Sequence, residues 1–248
     1  MSDAVLRLED ISIVLDGRVL IPPLTEQILP GTVLTLMGAS GSGKSTLLSF
    51  LGGTLTGPFH TTGRIWVGSR EVTAVAAERR RIGTLFQDDL LFPHLTVGEN
   101  LAFGLTRTVR GRRARAARIA AVLTQAGLEG FAPRDPATLS GGQRARVALL
   151  RLLLAEPQVL LLDEPFNKLD TALRAEFRRF VFEHAAAAGL PVLLVTHDTA
   201  DAEAAAGTVL ALRTDATGSA FIERTRAERS ASAESAPGLG SLVQGGGQ

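Results

Sequence analysis

The sequence predicts an α/β fold: a largely parallel layer with an antiparallel β flank and an inserted helical segment. Three observations predict it. A glycine-rich loop, GASGSGKST from Gly38 to Thr46, stands between an apolar, β-branched run and an apolar helix start. A second apolar run, VLLLDEP from Val159 to Pro165, ends in two carboxylates. Two further runs, IGTLF and PVLLVT, each end in a polar residue, Gln87 and His197. Short apolar runs closed by polar or glycine-rich text are the pattern of buried parallel strands, whose carboxyl ends open on a ligand crevice.

Taken in order, short strand candidates from Val5 to Val67 supply the antiparallel flank. Within them TVLTLM, Thr32 to Met37, leads into the loop, where Gly38, Gly43, Lys44 and Ser45 satisfy G-x-x-x-x-G-K-[ST]. Glycine lets backbone N–H groups turn inward around phosphate oxygens where a Cβ would obstruct them. A helix beginning near Lys44 aims its unpaired N–H groups and positive dipole end at the anion. The Lys44 ammonium then reaches the terminal phosphates, and the Ser45 hydroxyl reaches Mg²⁺. Ala39, Ser40, Gly41, Ser42 and Thr46 complete the cradle. A plain Gly/Ser turn is the alternative, and composition weighs against it. Of 26 basic residues only Lys44 and Lys168 are lysines, so a chain averse to lysine still places one at the phosphate position.

A mainly helical insertion is expected from Asp89 to about Ala155. It holds LLFPHLTVGENLAFGL, the arginine-rich TRTVRGRRARAARIAAVLTQAGL, and a helix through GGQRARVALLRLLLA from Gly141 to Ala155. That last helix opens in LSGGQ, Leu139 to Gln143. Ser140 reads as its N-cap, with a hydroxyl and unobstructed glycine N–H groups at a helix start. The arginine run (Arg107, Arg110, Arg112, Arg113, Arg115, Arg118) could meet lipid headgroups or nucleic acid, but its interleaved alanines and Ile119, Val122 and Leu123 fit a solvated helix face.

The core resumes at Val159. Along a strand, neighbouring side chains point to opposite sides, so Asp163 and Glu164 can do different work. Asp163 would hold Mg²⁺ through water, and Glu164 would face the water beyond the γ-phosphate as general base or polariser; a surface acidic turn is the alternative. A helix candidate from Thr171 to Ala188 is stopped by Gly189 and Pro191. Alone, Gln87 would be a solvated amide and His197 a structural group; their shared place at strand ends puts both beside the terminal phosphate. After Ile222 the text becomes small, polar and glycine-rich, a flexible tail.

Composition excludes several classes. At 248 residues and 45% hydrophobic, the chain can bury a substantial core and fits one domain with an inserted subdomain. A net charge of +1 gives no global pull toward nucleic acid, and without cysteine there is neither disulfide nor thiol chemistry. MSDAVLRLED lacks the regions of a signal peptide, and no apolar run approaches membrane-spanning length. The expectation is a soluble chain whose membrane contact runs through partners.

In content and in order, from about Val5 to Ile222, these motifs resemble the ATP-binding subunits of ABC transporters. The resemblance implies a P-loop NTPase, RecA-like core, divided into 1–88 and 156–226 by a helical subdomain at 89–155, with a tail at 227–248. It implies ATP and Mg²⁺ as ligands, the metal held by Ser45, Gln87 and Asp163, and catalysis by Glu164, His197, Lys44 and Gln87. It also implies that Ser140, Gly141, Gly142 and Gln143 cap the ATP of a second copy, with Asp170 in the loop between the sites, so that ATP closes a homodimer. The motif-proximal text is similar to importers, which implies integral permease partners, a solute-binding protein and a place on the cytoplasmic face of the membrane. No specific nucleic acid partner is expected. Two departures stand out. Leu15 lies where the family commonly has an aromatic to stack on adenine, a contact worth about 1–3 kcal/mol in other base-binding settings. The loop NKLD, 167–170, begins with Asn where the family often has Ser. A soluble nucleic-acid or remodelling ATPase and a degenerate regulatory cassette are the rivals. One phosphate loop without a long coiled coil disfavours the first, and intact Lys44, Asp163, Glu164 and His197 oppose the second.

Overall fold

Residues 4–86, 90–106, 108–167, 169, 171–215 and 219–226 are described by a computed structural model of the chain. Strand β1 (Leu6–Leu15) buries Leu6 and Leu8, then Ile11 and Ile13, so its period of two slips once. The slip is a bulge at Asp10, φ 50°, opposite Gly63, where a Cβ would lie 2.4 Å from the Glu9 carbonyl oxygen. The extra residue keeps apolar side chains on one face on both sides of the break. β1 pairs antiparallel with β2 (Arg18–Ile28) and β4 (Phe59–Val67), and β5 (Arg70–Glu71) completes a sheet of order β2-β1-β4-β5.

The second sheet is built from β3 (Val33–Gly38), β6 (Ile82–Leu85), β7 (Val159–Asp163), β8 (Val192–Val195), β9 (Thr208–Thr214) and β10 (Ala220–Arg226). Its order is β10-β9-β3-β8-β7-β6, parallel throughout except for the β9–β10 hairpin. Val159–Leu162 and Val192–Val195 are almost wholly buried, which explains why these strands read as unbroken apolar runs. One face packs with helix α1 (Lys44–Gly52) against the antiparallel sheet, Leu47, Leu48 and Leu51 joining Leu6, Ile13 and Val195. The other face carries α5 (Gly141–Leu154) and α6 (Thr171–Ala187), where Phe166 and Phe177 meet edge to face at 5.9 Å.

Helices α3 (Val97–Gly104) and α4 (Arg112–Gln125) close a third cluster with α5, in which Leu101, Val122, Leu123, Val147 and Leu150 are buried. A complete capping box starts α3: Thr96 accepts from the Glu99 N–H and Glu99 accepts from that of Thr96. Along α4, Arg112, Arg113 and Arg118 are exposed, while Arg115 turns inward to donate to the Ala102 and Val109 carbonyls. Among the described residues no helix is long and apolar enough to cross a membrane.

A buried arginine ties the end of α1 to the segment between β5 and α2 (Ala77–Arg80). Arg80, at the end of α2, donates to the carbonyls of Phe50 and Leu51 at the C-terminus of α1 and to those of Thr73 and Val75. Its positive charge sits at the negative end of the α1 dipole. An unmade bond to a buried carbonyl costs about 1–3 kcal/mol. Arg80→Met is therefore expected to lower unfolding free energy by about 2–4 kcal/mol in urea titration.

Candidate active site

Strand register brings the predicted residues to one sheet edge. Leu36 and Asp163 both lie beside Val195, in the central trio β3, β8 and β7. The chain leaves all three strands there: β3 into the phosphate loop, β7 into Glu164, β8 into Thr196 and His197. Crossing hydrogen bonds fix these exits, from the Glu164 N–H to the Val195 carbonyl (2.9 Å) and from the Thr196 N–H to the Leu36 carbonyl (3.2 Å).

Within the loop, Gly43 takes φ 96°, a left-handed conformation that swings the chain into α1 at Lys44. Ala39, Ser40, Gly41 and Ser45 are exposed, and Ser42 and Thr46 partly buried. Lys44 is 5% exposed, its ammonium donating to the Gly38 and Ala39 carbonyls at 2.9 and 2.8 Å. Burial holds its amine below the ordinary lysine value, while Glu164 and Asp163 pull the other way. The Ser42 hydroxyl is buried without a hydrogen-bond partner among the described residues.

The Ser45 hydroxyl donates to Asp163 Oδ1 at 3.1 Å. Burial pushes the Asp163 carboxyl up, opposed by that hydrogen bond; the neighbouring Glu164 adds to the rise and Lys44 counters it. The Glu164 side chain points elsewhere, but not for the reason that strand alternation gives. The strand ends at Asp163, and Glu164 itself takes φ 47°. That left-handed turn, costly for a residue with a Cβ, aims its carboxylate at His197 Nδ1 (3.3 Å) and the Asn167 amide. His197 is more than half exposed and Glu164 mostly covered.

Ser140 caps α5 as its sequence suggests. Its hydroxyl accepts from the Gln143 N–H (3.3 Å), while its own N–H donates to Gln143 Oε1 (3.0 Å). No hydrogen bond among the described residues joins Ser140, Gly141, Gly142 or Gln143 to the phosphate loop of the same chain. Gly142 has a packing reason of its own: a Cβ there would lie 1.9 Å from Leu173 Cδ2 and 3.2 Å from Leu169 Cδ2. Gln87 and Asp170 lie outside the described residues, as do Arg107, Lys168 and the predicted tail from 227 onward.

Sequence reasoning missed other residues that shape the site. Asn167, noted only as a departure in its loop, bonds the Glu164 carboxylate. Arg174, Arg178, Asp198 and Asp201 hold the segments beside Glu164 and His197. The signal was present, since two arginines four apart share a helix face and Asp198 directly follows His197.

A lysine ammonium, an unpartnered buried hydroxyl and a hydroxyl–carboxylate oxygen pair suit a polyphosphate with a hard divalent cation. A carboxylate in contact with an imidazole beside them suits activation of a water molecule.

Comparison with known proteins gives concordant results. The family model described as ABC transporter matches residues 22–167. The uncharacterized ABC transporter ATP-binding protein YnjD of Escherichia coli (strain K12) is 51% identical over 174 residues, 70% of this chain and 80% of that protein. The thiamine import ATP-binding protein ThiQ of Jannaschia sp. (strain CCS1) is 45% identical over 185 residues, covering 75% and 80%. The Fe(3+) ions import ATP-binding protein FbpC of Rhizobium etli is 42% identical over 193 residues, 78% of this chain but 54% of the longer relative. Among solved structures, the dimeric post-hydrolysis state of the ATP-binding cassette MJ0796 bound to ADP and Pi superposes with a TM-score of 0.75. It is 28% identical and covers 90% of this chain and 99% of that one.

Proposed function

This chain belongs to the ABC transporter family, and on that footing we propose that it is the ATP-hydrolysing subunit of an importer, in which two copies close around ATP and drive separate membrane permeases. The observation that carries the reading is the single sheet edge at which Lys44, Ser45, Asp163, Glu164 and His197 converge. The import-type names of the thiamine and Fe(3+) relatives support it, as does the dimeric, ADP- and Pi-bound state of the structural neighbour.

In this reading the backbone N–H groups from Gly38 to Thr46, the Lys44 ammonium and the Ser42 hydroxyl bind the phosphates, at the positive end of α1. Ser45 and Asp163, with Gln87, would hold Mg²⁺, which when bound neutralises phosphate charge. Glu164 orients a water molecule and takes its proton as the water oxygen bonds to the γ-phosphorus; the bond to the bridging oxygen breaks and ADP leaves. His197, in contact with Glu164, keeps the carboxylate turned toward that water. Residues 1–88 and 156–226 form the nucleotide-binding core and 89–155 the helical subdomain.

Ser140 makes no hydrogen bond to its own phosphate loop among the described residues, which fits a role on the ATP of the facing copy, with Gly141, Gly142 and Gln143 beside it and Asp170 between the two sites. Ser140→Arg is accordingly expected to leave ATP binding by the single chain intact and to block closure. Gel filtration with ATP, on a Glu164→Gln background that does not hydrolyse it, reads the result; an unimpaired dimer would contradict the assignment.

For the permease, the surface offers an apolar cleft of about 320 Å³ where the core meets the helical segment, lined by Leu85, Phe86, Leu90, Phe92, Phe103 and Leu152. Leu90 and Phe103 are strongly exposed there, and an apolar patch of this kind marks an interaction site. A cytoplasmic helix of the permease would lie in it, directly after Gln87. The subunit thus works at the cytoplasmic face of the membrane, with a solute-binding protein delivering cargo to the permease from the far side.

A further inference from the structure

We propose that Arg174 is a positioning residue for hydrolysis, holding the segment behind Glu164 and the segment after His197 in one fixed relation so that carboxylate and imidazole stay in register. The proposal rests on the roles given above to Glu164 and His197.

The two groups meet at 3.3 Å but come from different strands, each borne on a short loop rather than on a regular element. Backbone bonds fix where the strands end, and a tie to a common support holds the chain beyond them in one relation. Helix α6 is that support. Arg174 Nε donates to the Phe166 carbonyl at 3.0 Å, two residues beyond Glu164, and its other arm pairs with Asp198, the residue after His197. One planar guanidinium thus bridges both loops, and its rigid fork fixes an angle as well as a distance. A single bond would leave the loops free to pivot.

Asp198 is itself held from three sides. Its second oxygen accepts from the Ala200 N–H at 2.8 Å, at the start of α7 (Thr199–Ala205), and its own N–H donates to Thr196 Oγ1 at 3.1 Å. The Thr196 hydroxyl passes on to Asp201 at 2.9 Å, and Arg178, one turn along α6 from Arg174, closes the network on Asp201 at 3.0 Å. Asp201 is fully buried and Asp198 is not. The two arginine–aspartate pairs therefore divide the work. Arg178 with Asp201 anchors α7 to α6 in the interior, whereas Arg174 with Asp198 lies nearer the surface and reaches the loops that bear the reacting groups. Neither arginine makes a hydrogen bond to the phosphate loop among the described residues, so Arg174 can influence turnover without touching the nucleotide.

The test is steady-state ATP hydrolysis and equilibrium ATP binding by the full chain carrying Arg174→Ala, Arg174→Lys or Asp198→Asn, with Glu164→Gln as reference. A catalytic group displaced by about 1 Å loses roughly 100-fold in rate. Arg174→Ala should lower kcat by about 10- to 100-fold while KM and ATP affinity stay within about twofold and unfolding remains cooperative. Arg174→Lys, which keeps the pair with Asp198 and loses the second arm, should restore part of the rate. Asp198→Asn keeps a helix cap but loses the charge, and adding it to Arg174→Ala should bring no further loss. On the Glu164→Gln background, Arg174→Ala should leave the ATP-loaded dimer intact. An unchanged kcat would overturn the proposal, as would a kcat that falls in step with ATP affinity or thermal stability across both Arg174 variants. If Glu164→Gln hydrolyses ATP at the wild-type rate, it is instead the reading of the active site that fails, and the two failures are told apart.

Discussion

Glu164→Gln is expected to slow ATP hydrolysis by about 10²- to 10⁴-fold and to accumulate a dimer with ATP held between its halves. The amide keeps the shape of the carboxylate, so the left-handed turn at residue 164 and its bond to the Val195 carbonyl survive. It cannot accept a proton from water, and against His197 and the Asn167 amide it offers one acceptor oxygen where the carboxylate offers two. In the proposed reading phosphate is held by the loop and the metal by Ser45 and Asp163, so nucleotide binding is left alone. Chemistry stops after closure, so the closed form collects. Single-turnover kinetics alongside gel filtration with ATP reads both effects; wild-type turnover would remove Glu164 from the reaction.

Lys44→Met should weaken ATP binding by about 10- to 150-fold, the equivalent of one charge-assisted hydrogen bond of about 1.5–3 kcal/mol. The same change should move the melting temperature of the nucleotide-free chain little, because shedding a buried charge is set against the loss of two hydrogen bonds to the Gly38 and Ala39 carbonyls. Burial depresses the Lys44 amine from its ordinary 10.5, by more than Glu164 and Asp163 raise it. A depressed lysine contributes stability above its unfolded value and loses it as pH falls through the folded one. At neutral pH the buried ammonium therefore costs stability, and a polyphosphate that joins it offsets the cost. The apolar stem of methionine keeps the packing and discards the charge. Calorimetry and thermal unfolding with and without MgATP separate the effects: the wild-type chain gains a large thermal shift from nucleotide and the variant loses it. Normal ATP affinity in Lys44→Met would contradict the assignment of the phosphate loop.

Much of this site was legible before the fold was known, because its residues sit at the ends of apolar runs and their spacing is local. Gly38 to Ser45 specify strand, loop and helix in one stretch, and β3 and α1 fall where that text puts them. Val159–Leu162 and Val192–Val195 announce buried strands through composition alone. What stayed hidden depends on contacts between distant segments. Glu164 was expected to face away from Asp163 by strand alternation, but the strand stops one residue earlier and a left-handed backbone turns the side chain. Gly142 read as a donor of its N–H, yet the close approach of Leu173 from α6 demands glycine there on packing grounds alone. Arg80 and Arg174 carry no signal of their own in a chain rich in arginine; only the fold reveals the carbonyls that Arg80 grips and the carbonyl and aspartate that Arg174 bridges.

The account turns on a site completed by two copies, and the rate of hydrolysis per subunit against protein concentration tests this most directly. Purified chain should hydrolyse slowly per subunit when dilute and faster as concentration rises, with the transition tracking the ATP-dependent dimer seen by sedimentation and absent from Ser140→Arg. A per-subunit rate that stays at its full value down to dilutions where sedimentation finds only single chains would contradict it.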